Sequence, residues 1–121
     1  KNFKYLKNFF KKHENFFHLP EQYNGVKTPW LAFPLVIKEN KIFNRKKMQI
    51  YFEKNNIQTR TIFTGNILRQ PVMKNRFYKK HPNCNKVAND VMKNGILIGC
   101  HQGLRKSELN YICNTFKSLI K

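Results

Sequence analysis

The sequence predicts an α+β domain: a short, mainly antiparallel sheet with helices packed on one side. Three observations predict it. Apolar residues recur at steps of three and four near both ends of the chain, as one face of a helix does. Three short apolar or alternating runs, bounded by Gly, Pro and Asn, read as strands. The 121 residues are 40% hydrophobic and 14% aromatic, enough for one domain with a modest core.

Taken in chain order, the first element is a helix. Phe3, Leu6, Phe10, His13 and Phe17 share one helical face, with lysines on the other. Leu19-Pro20 ends that helix, because the residue before a proline is disfavoured in the α region. Its apolar face, with Trp30, is expected to look outward toward a partner outside the chain. Glu21 to Pro29 is a loop. Trp30 to Ile37 is a strand apolar on both faces, with Pro34 marking an edge or a bulge. Asn44 caps a helix whose face is Met48, Tyr51 and Phe52, and which closes at Asn55-Asn56. Ile57 to Phe63 alternates, with Ile57, Thr59, Thr61 and Phe63 on one side and Arg60 on the other. Val72 to Asn94 is irregular, with a short helix near Val87 to Lys93. Gly95 to Cys100 is apolar throughout and therefore a central strand. Ser107 caps a final helix carrying Leu109, Ile112, Phe116, Leu119 and Ile120 on one face.

The formal charge is +18, and Lys outnumbers Arg 19 to 5. A basic module for nucleic acid or anionic lipid is one reading of that excess. Compositional drift toward A/T-rich codons is the other. The lysines spread from Lys1 to Lys121 instead of gathering, and Arg, the better phosphate fork, is scarce. That favours drift, so no specific nucleic acid and no membrane partner is expected. No apolar run approaches the length of a bilayer span. Cys84, Cys100 and Cys113 are odd in number and widely spaced, which fits a reducing, cytoplasmic setting rather than a disulfide framework. A metal set drawn from His81, Cys84, Cys100 and His101 contains no C-x-x-C pair. Adjacent Cys100 and His101 would also point to opposite faces of a strand, so no metal is expected.

The densest polar group is Arg60, Thr64, Gly65, Asn66, Arg69 and Gln70, at the end of a strand and in the turn after it. Asn66 and Gln70 carry donors and acceptors suited to sugar hydroxyls, while Arg60 and Arg69 suit phosphate. His101 comes after the third strand in Gly99-Cys-His-Gln-Gly103. If those strands run side by side, the two turns are expected to converge on one cleft wall. A solvated polar turn and a structural histidine are the alternatives. There is no Ser/His/Asp set, no carboxylate pair and no phosphate-cradling glycine loop, so no catalytic residue is assigned. The chain reads as a binding module or as part of an enzyme.

Several segments together resemble one family. Asn2 to Leu6, Phe16 to Pro20 and Pro29 to Pro34 look like the passage from large to small domain in the DegT/DnrJ/StrS family of sugar aminotransferases and dehydrases. Tyr51 to Arg60 resembles the family's L-E-x-x-x-I-x-T-R segment. Gly65-Asn-Ile-Leu-Arg-Gln-Pro71 is similar to the G-N-x-x-R-Q-P of its CDP-4-keto-6-deoxyglucose 3-dehydrase and lipopolysaccharide-synthesis branch. Asn89-Asp90-Val91-Met92 departs from that branch's D-R-I-M by placing Asp where Arg would stand. The resemblance implies a fold type I pyridoxal-phosphate enzyme. Residues 1–18 would end the helix leading from a large domain, and residues 19–121 would form the C-terminal small domain. It implies a homodimer, a nucleotide-linked sugar as substrate, and pyridoxal or pyridoxamine phosphate held mainly by the large domain. It also implies substrate contacts from Arg60, Asn66, Arg69, Gln70 and His101, and no activity from this part alone.

Overall fold

A computed structural model describes residues 1–79 and 84–121. The elements are α1 (Asn2–Lys11), β1 (Phe17–His18), β2 (Ala32–Ile37), α2 (Arg45–Lys54), β3 (Thr59–Arg60), α3 (Cys84–Asn94), β4 (Gly95–Gly99) and α4 (Lys106–Leu119). Two short 3-10 turns, Ile67–Arg69 and Pro71–Met73, lie between β3 and α3. The strands form one antiparallel sheet in the order β1-β2-β4-β3. This is the α+β arrangement that the periodicities predict.

One face of the sheet carries the core. Phe33, Leu35 and Ile37 of β2 alternate into it, joined by Ile96 and Ile98 of β4 across the register Phe33↔Ile98 and Leu35↔Ile96. Helices α1 and α4 close over them through an aromatic cluster. Phe10 stacks on Phe33 at 5.7 Å, and Phe116 lies 5.3 Å from both Phe10 and Phe17. Helix α2 adds Met48 and Phe52, both fully buried. Burying each such side chain removes apolar surface worth about 1.5–3 kcal/mol.

Four expectations need correction. The apolar face of the first helix does not look outward: Leu6 and Phe10 are fully buried, and Phe3 stacks on Trp30 at 4.2 Å. The helix stops at Lys11, and Phe17 enters β1 opposite Ile37, which completes the face from within the chain. Pro34 lies on an internal strand and not at a bulge. It is tolerated because β1 pairs only with Val36 and Ile37, leaving the outer side of Pro34 without a ladder partner. The strand expected over Ile57–Phe63 ends at Arg60, because Phe63 and Gly65 take positive φ (43° and 70°) and turn the chain. Finally, α4 begins at Lys106 with Ser107 inside it. Glu108 accepts the Arg105 N–H at 2.6 Å and satisfies the helix start in place of a serine cap. Asn44 does cap α2, accepting from the Lys47 N–H at 2.9 Å.

Candidate functional site

The segment from Glu53 to Arg60 is built to present one side chain. Glu53, at the end of α2, accepts both the Thr59 hydroxyl (2.8 Å) and the Thr59 N–H (2.6 Å). These two bonds hold its carboxyl below the usual carboxylate range, with Arg60 adding a smaller push in the same direction. Ile57 and Thr59 are buried in the core face. Strand alternation then sends Arg60 to the opposite face, where it is exposed and donates no hydrogen bond among the described residues.

Arg60 and His101 line one cleft of about 420 Å³, with Leu31, Ala32, Leu97 and Tyr111 among its apolar walls. The His101 turn is pinned from two directions. The Gly103 N–H donates to His101 Nδ1 at 3.2 Å. Asn2 at the start of α1 donates to the His101 and Leu104 carbonyls at 2.7 and 3.1 Å. A Cβ at residue 103 would sit 3.1–3.2 Å from the imidazole, so the exposed ring would have to give by a few tenths of an ångström.

Asn66, Arg69 and Gln70 form a second group. Asn66 is 2% exposed. Its Nδ2 donates to Asn85 (3.2 Å) and Asn89 (2.9 Å) of α3, and its Oδ1 accepts the Leu68 N–H (3.0 Å). Arg69 Nε also donates to Asn89, at 3.2 Å, and Gln70 donates to the Thr64 carbonyl at 3.2 Å. A Cβ on Gly65 would overlap Cα and Cβ of Met92, so glycine allows the turn to lie flat on α3. The two turns do not converge. Strands β3 and β4 run antiparallel, so the turn after one and the turn after the other leave the sheet at opposite ends. Arg60 itself reaches the His101 cleft; Asn66, Arg69 and Gln70 are held against α3.

Sequence reasoning passed over Glu53, Asn85, Asn89, Asn2 and Gly103. The two α3 asparagines stand at i and i+4, a spacing that marks one helix face. Of the metal set, His81 and the Cys84 side chain lie outside the described residues. Cys100 and Cys113 are buried, and burial pushes both thiols up to about 11. Among the described residues no group of three metal-binding side chains occurs, and no helix is long and apolar enough to cross a membrane.

The profile of the DegT/DnrJ/EryC1/StrS aminotransferase family matches residues 1–117. The chain belongs to that family. Among its relatives, the lipopolysaccharide biosynthesis protein RfbH of Salmonella typhimurium is 30% identical over 119 residues, covering 96% of this chain and 26% of RfbH. The GDP-4-keto-6-deoxy-D-mannose 3-dehydratase of Escherichia coli is 30% identical over 118 residues, covering 97% of this chain and 29% of the relative. The structure of an E. coli GDP-4-keto-6-deoxy-D-mannose-3-dehydratase with bound hydrated pyridoxal phosphate superposes with a TM-score of 0.81 at 27% identity. That match covers 99% of this chain and 29% of the other. This DegT/DnrJ/EryC1/StrS chain thus spans between a quarter and a third of the length of these relatives. Every described lysine is at least partly exposed, where a covalent anchor needs a desolvated amine, and no buried side-chain N or O among the described residues lacks a partner.

Proposed function

We propose that the chain acts as the small, C-terminal domain of a pyridoxal- or pyridoxamine-phosphate enzyme acting on a nucleotide-linked sugar. The reaction is 3-dehydration of a 4-keto-6-deoxysugar or transfer of an amino group, in deoxysugar and lipopolysaccharide synthesis. The observation that carries this reading is the superposition on the dehydratase over 99% of the chain. The cofactor, when bound, supplies the electron sink for the sugar's chemistry and belongs to the large domain. This domain's part is to hold the substrate. Arg60 and His101 line its cleft; Arg69 and Gln70 form a second polar group, on the turn that Asn66 fixes against α3. The working assembly is a homodimer in the cytoplasm. Exposed lysines occur on every helix, among them Lys11, Lys47, Lys93 and Lys117, which supports a solvated surface over a nucleic-acid face.

Two measurements test the proposal. The isolated chain, incubated with pyridoxal phosphate, reduced with borohydride and mapped by mass spectrometry, is expected to show no single lysine stoichiometrically labelled, and no turnover. A specific labelled lysine would place the anchor here and overturn the division of labour. In the enzyme joined to its large domain, Arg69→Ala is expected to raise the Michaelis constant for the nucleotide sugar roughly tenfold or more, the loss of one charge-assisted contact. Its unfolding midpoint should move little, and unchanged kinetics would make Arg69 an ordinary surface residue.

A further inference from the structure

We propose that Asn24 is a self-modifying site. The chain converts it, with no enzyme, through a cyclic imide to aspartate and isoaspartate, and the isoaspartate unfastens the loop 21–29 from Trp30. This stands whether or not the chain serves a sugar enzyme.

The chain holds two Asn-Gly pairs, Asn24-Gly25 and Asn94-Gly95. In such a pair no Cβ on the glycine crowds the approach of its nitrogen to the asparagine Cγ. The N–Cγ bond forms and the Cγ–Nδ2 bond breaks. The side-chain nitrogen takes up the glycine amide proton and leaves as ammonia. Water then opens the imide at one of its two carbonyls. Opening at the side-chain carbonyl gives aspartate; opening at the main-chain carbonyl gives isoaspartate, whose backbone is one carbon longer. Water is the only co-reactant.

The fold sets the two pairs in opposite surroundings. Asn24 and Gly25 are exposed, and among the described residues neither the Asn24 amide nor the Gly25 N–H makes a hydrogen bond. A Cβ built on Gly25 meets nothing within 4 Å, so the ring has open space in which to close. The attacking nitrogen gains negative charge, which neighbouring Lys27 and the net charge of +18 favour. Asn94 is held instead. Its Nδ2, the leaving group, donates to Asp90 Oδ1 at 2.6 Å. Gly95 is buried where α3 passes into β4 and pairs with Val36, and a Cβ there would overlap the Val91 carbonyl.

The Asn24 turn carries a fastening. The Val26 N–H closes it on the Tyr23 carbonyl at 3.3 Å. Gln22 Nε2 donates to the Val26 carbonyl at 2.7 Å, and Gln22 Oε1 accepts the Trp30 indole N–H at 2.7 Å. Isoaspartate lengthens the chain between Tyr23 and Val26 and adds a carboxylate. The Val26 carbonyl then no longer holds Gln22 where the indole needs it, and Trp30 keeps only its stacking on Phe3.

The test is a time course of the intact chain in mildly alkaline water enriched in heavy oxygen, followed by peptide mapping with mass spectrometry and by isoaspartyl methyltransferase labelling. Asn24 is expected to convert roughly tenfold or more faster than Asn94, with solvent oxygen in both products. In concentrated urea the two pairs should convert at similar rates, which assigns the difference to the fold. Gly25→Ala should slow conversion at Asn24 roughly tenfold or more. Trp30 is the single tryptophan, so its emission should change in step with isoaspartate. That change should be absent in Asn24→Gln, which leaves Gly25 and the turn in place. Equal rates at Asn24 and Asn94 in the folded chain overturn the proposal, as does conversion of Asn24 in urea alone. Isoaspartate at Asn24 with unchanged Trp30 emission overturns the unfastening.

Discussion

Phe116 and Asn66 sit at the centres of two regions built in opposite ways. Around Phe116, rings from α1, the turn into β1, β1 itself and the loop before α2 meet edge to face or tilted: Phe9, Phe10, Phe16, Phe17 and Phe43 all lie within 6.4 Å of its centroid. Around Asn66, one amide ties a turn to two asparagines of α3, and the neighbouring large apolar side chains face solvent: Phe63, Ile67, Val72 and Val87 are all exposed. The first region is held by burial, which is large and non-directional. The second is held by a few directional bonds and one close backbone approach. The difference teaches where function has room. A burial-held region accepts little change in shape, whereas a bond-held turn can carry exposed groups such as Arg69 without unpacking a core.

The largest effect expected is from breaking the first region. Phe116→Ala should cost about 3–5 kcal/mol, because the cavity would be surrounded by rings already packed on one another. Urea unfolding measures it. A loss below about 1 kcal/mol would mean that the rings collapse into the space and that the cluster is less rigid than its geometry implies.

The second region should break more locally. Gly65→Ala combines a positive φ with overlap on Met92, an expected loss of about 2–3 kcal/mol. Hydrogen exchange sharpens the comparison. Protection should fall in the 3-10 turn at Ile67–Arg69 and in α3, while α1 and α4 keep theirs. Uniform loss across all four helices would show that the two regions unfold together, and the contrast between them would fail.

These two regions also differ in how much of them the sequence discloses. The spacing of Leu6 and Phe10, and of Leu109, Ile112, Phe116 and Leu119, states directly which faces are buried, because burial tracks the helical period. Period alone does not mark where a helix gives way to a strand. Phe17 continues the helical count of α1, yet it is a strand residue opposite Ile37. The Asn66 turn is legible only as polar. The partners of Asn66 are 19 and 23 residues away on α3, and a lone amide carries no mark of whether it will meet a ligand or another amide. The same limit explains the two turns. The turn after each strand is visible in the sequence, but the antiparallel register that sends the turns to opposite ends depends on pairing, which local sequence does not encode.

The smallest effect expected returns to the aromatic cluster and asks whether it is wholly burial-held. His13 packs against Phe9 at 5.1 Å and Phe116 at 5.2 Å. Burial, then Lys117, then Lys12, hold its imidazole below the ordinary value of 6.5. The unfolded chain therefore binds more protons than the folded one in the pH interval below 6.5. Stability is accordingly full above that value and declines as pH falls through it, until the folded-state imidazole also protonates. His13→Phe keeps a ring against Phe9 and Phe116 and removes the titrating group. Urea midpoints measured at about pH 7.5 and about pH 5.5 should differ less in this variant than in the parent chain, through a higher midpoint at the acid end. An unchanged difference would assign the acid sensitivity to other groups and leave the cluster held by burial alone.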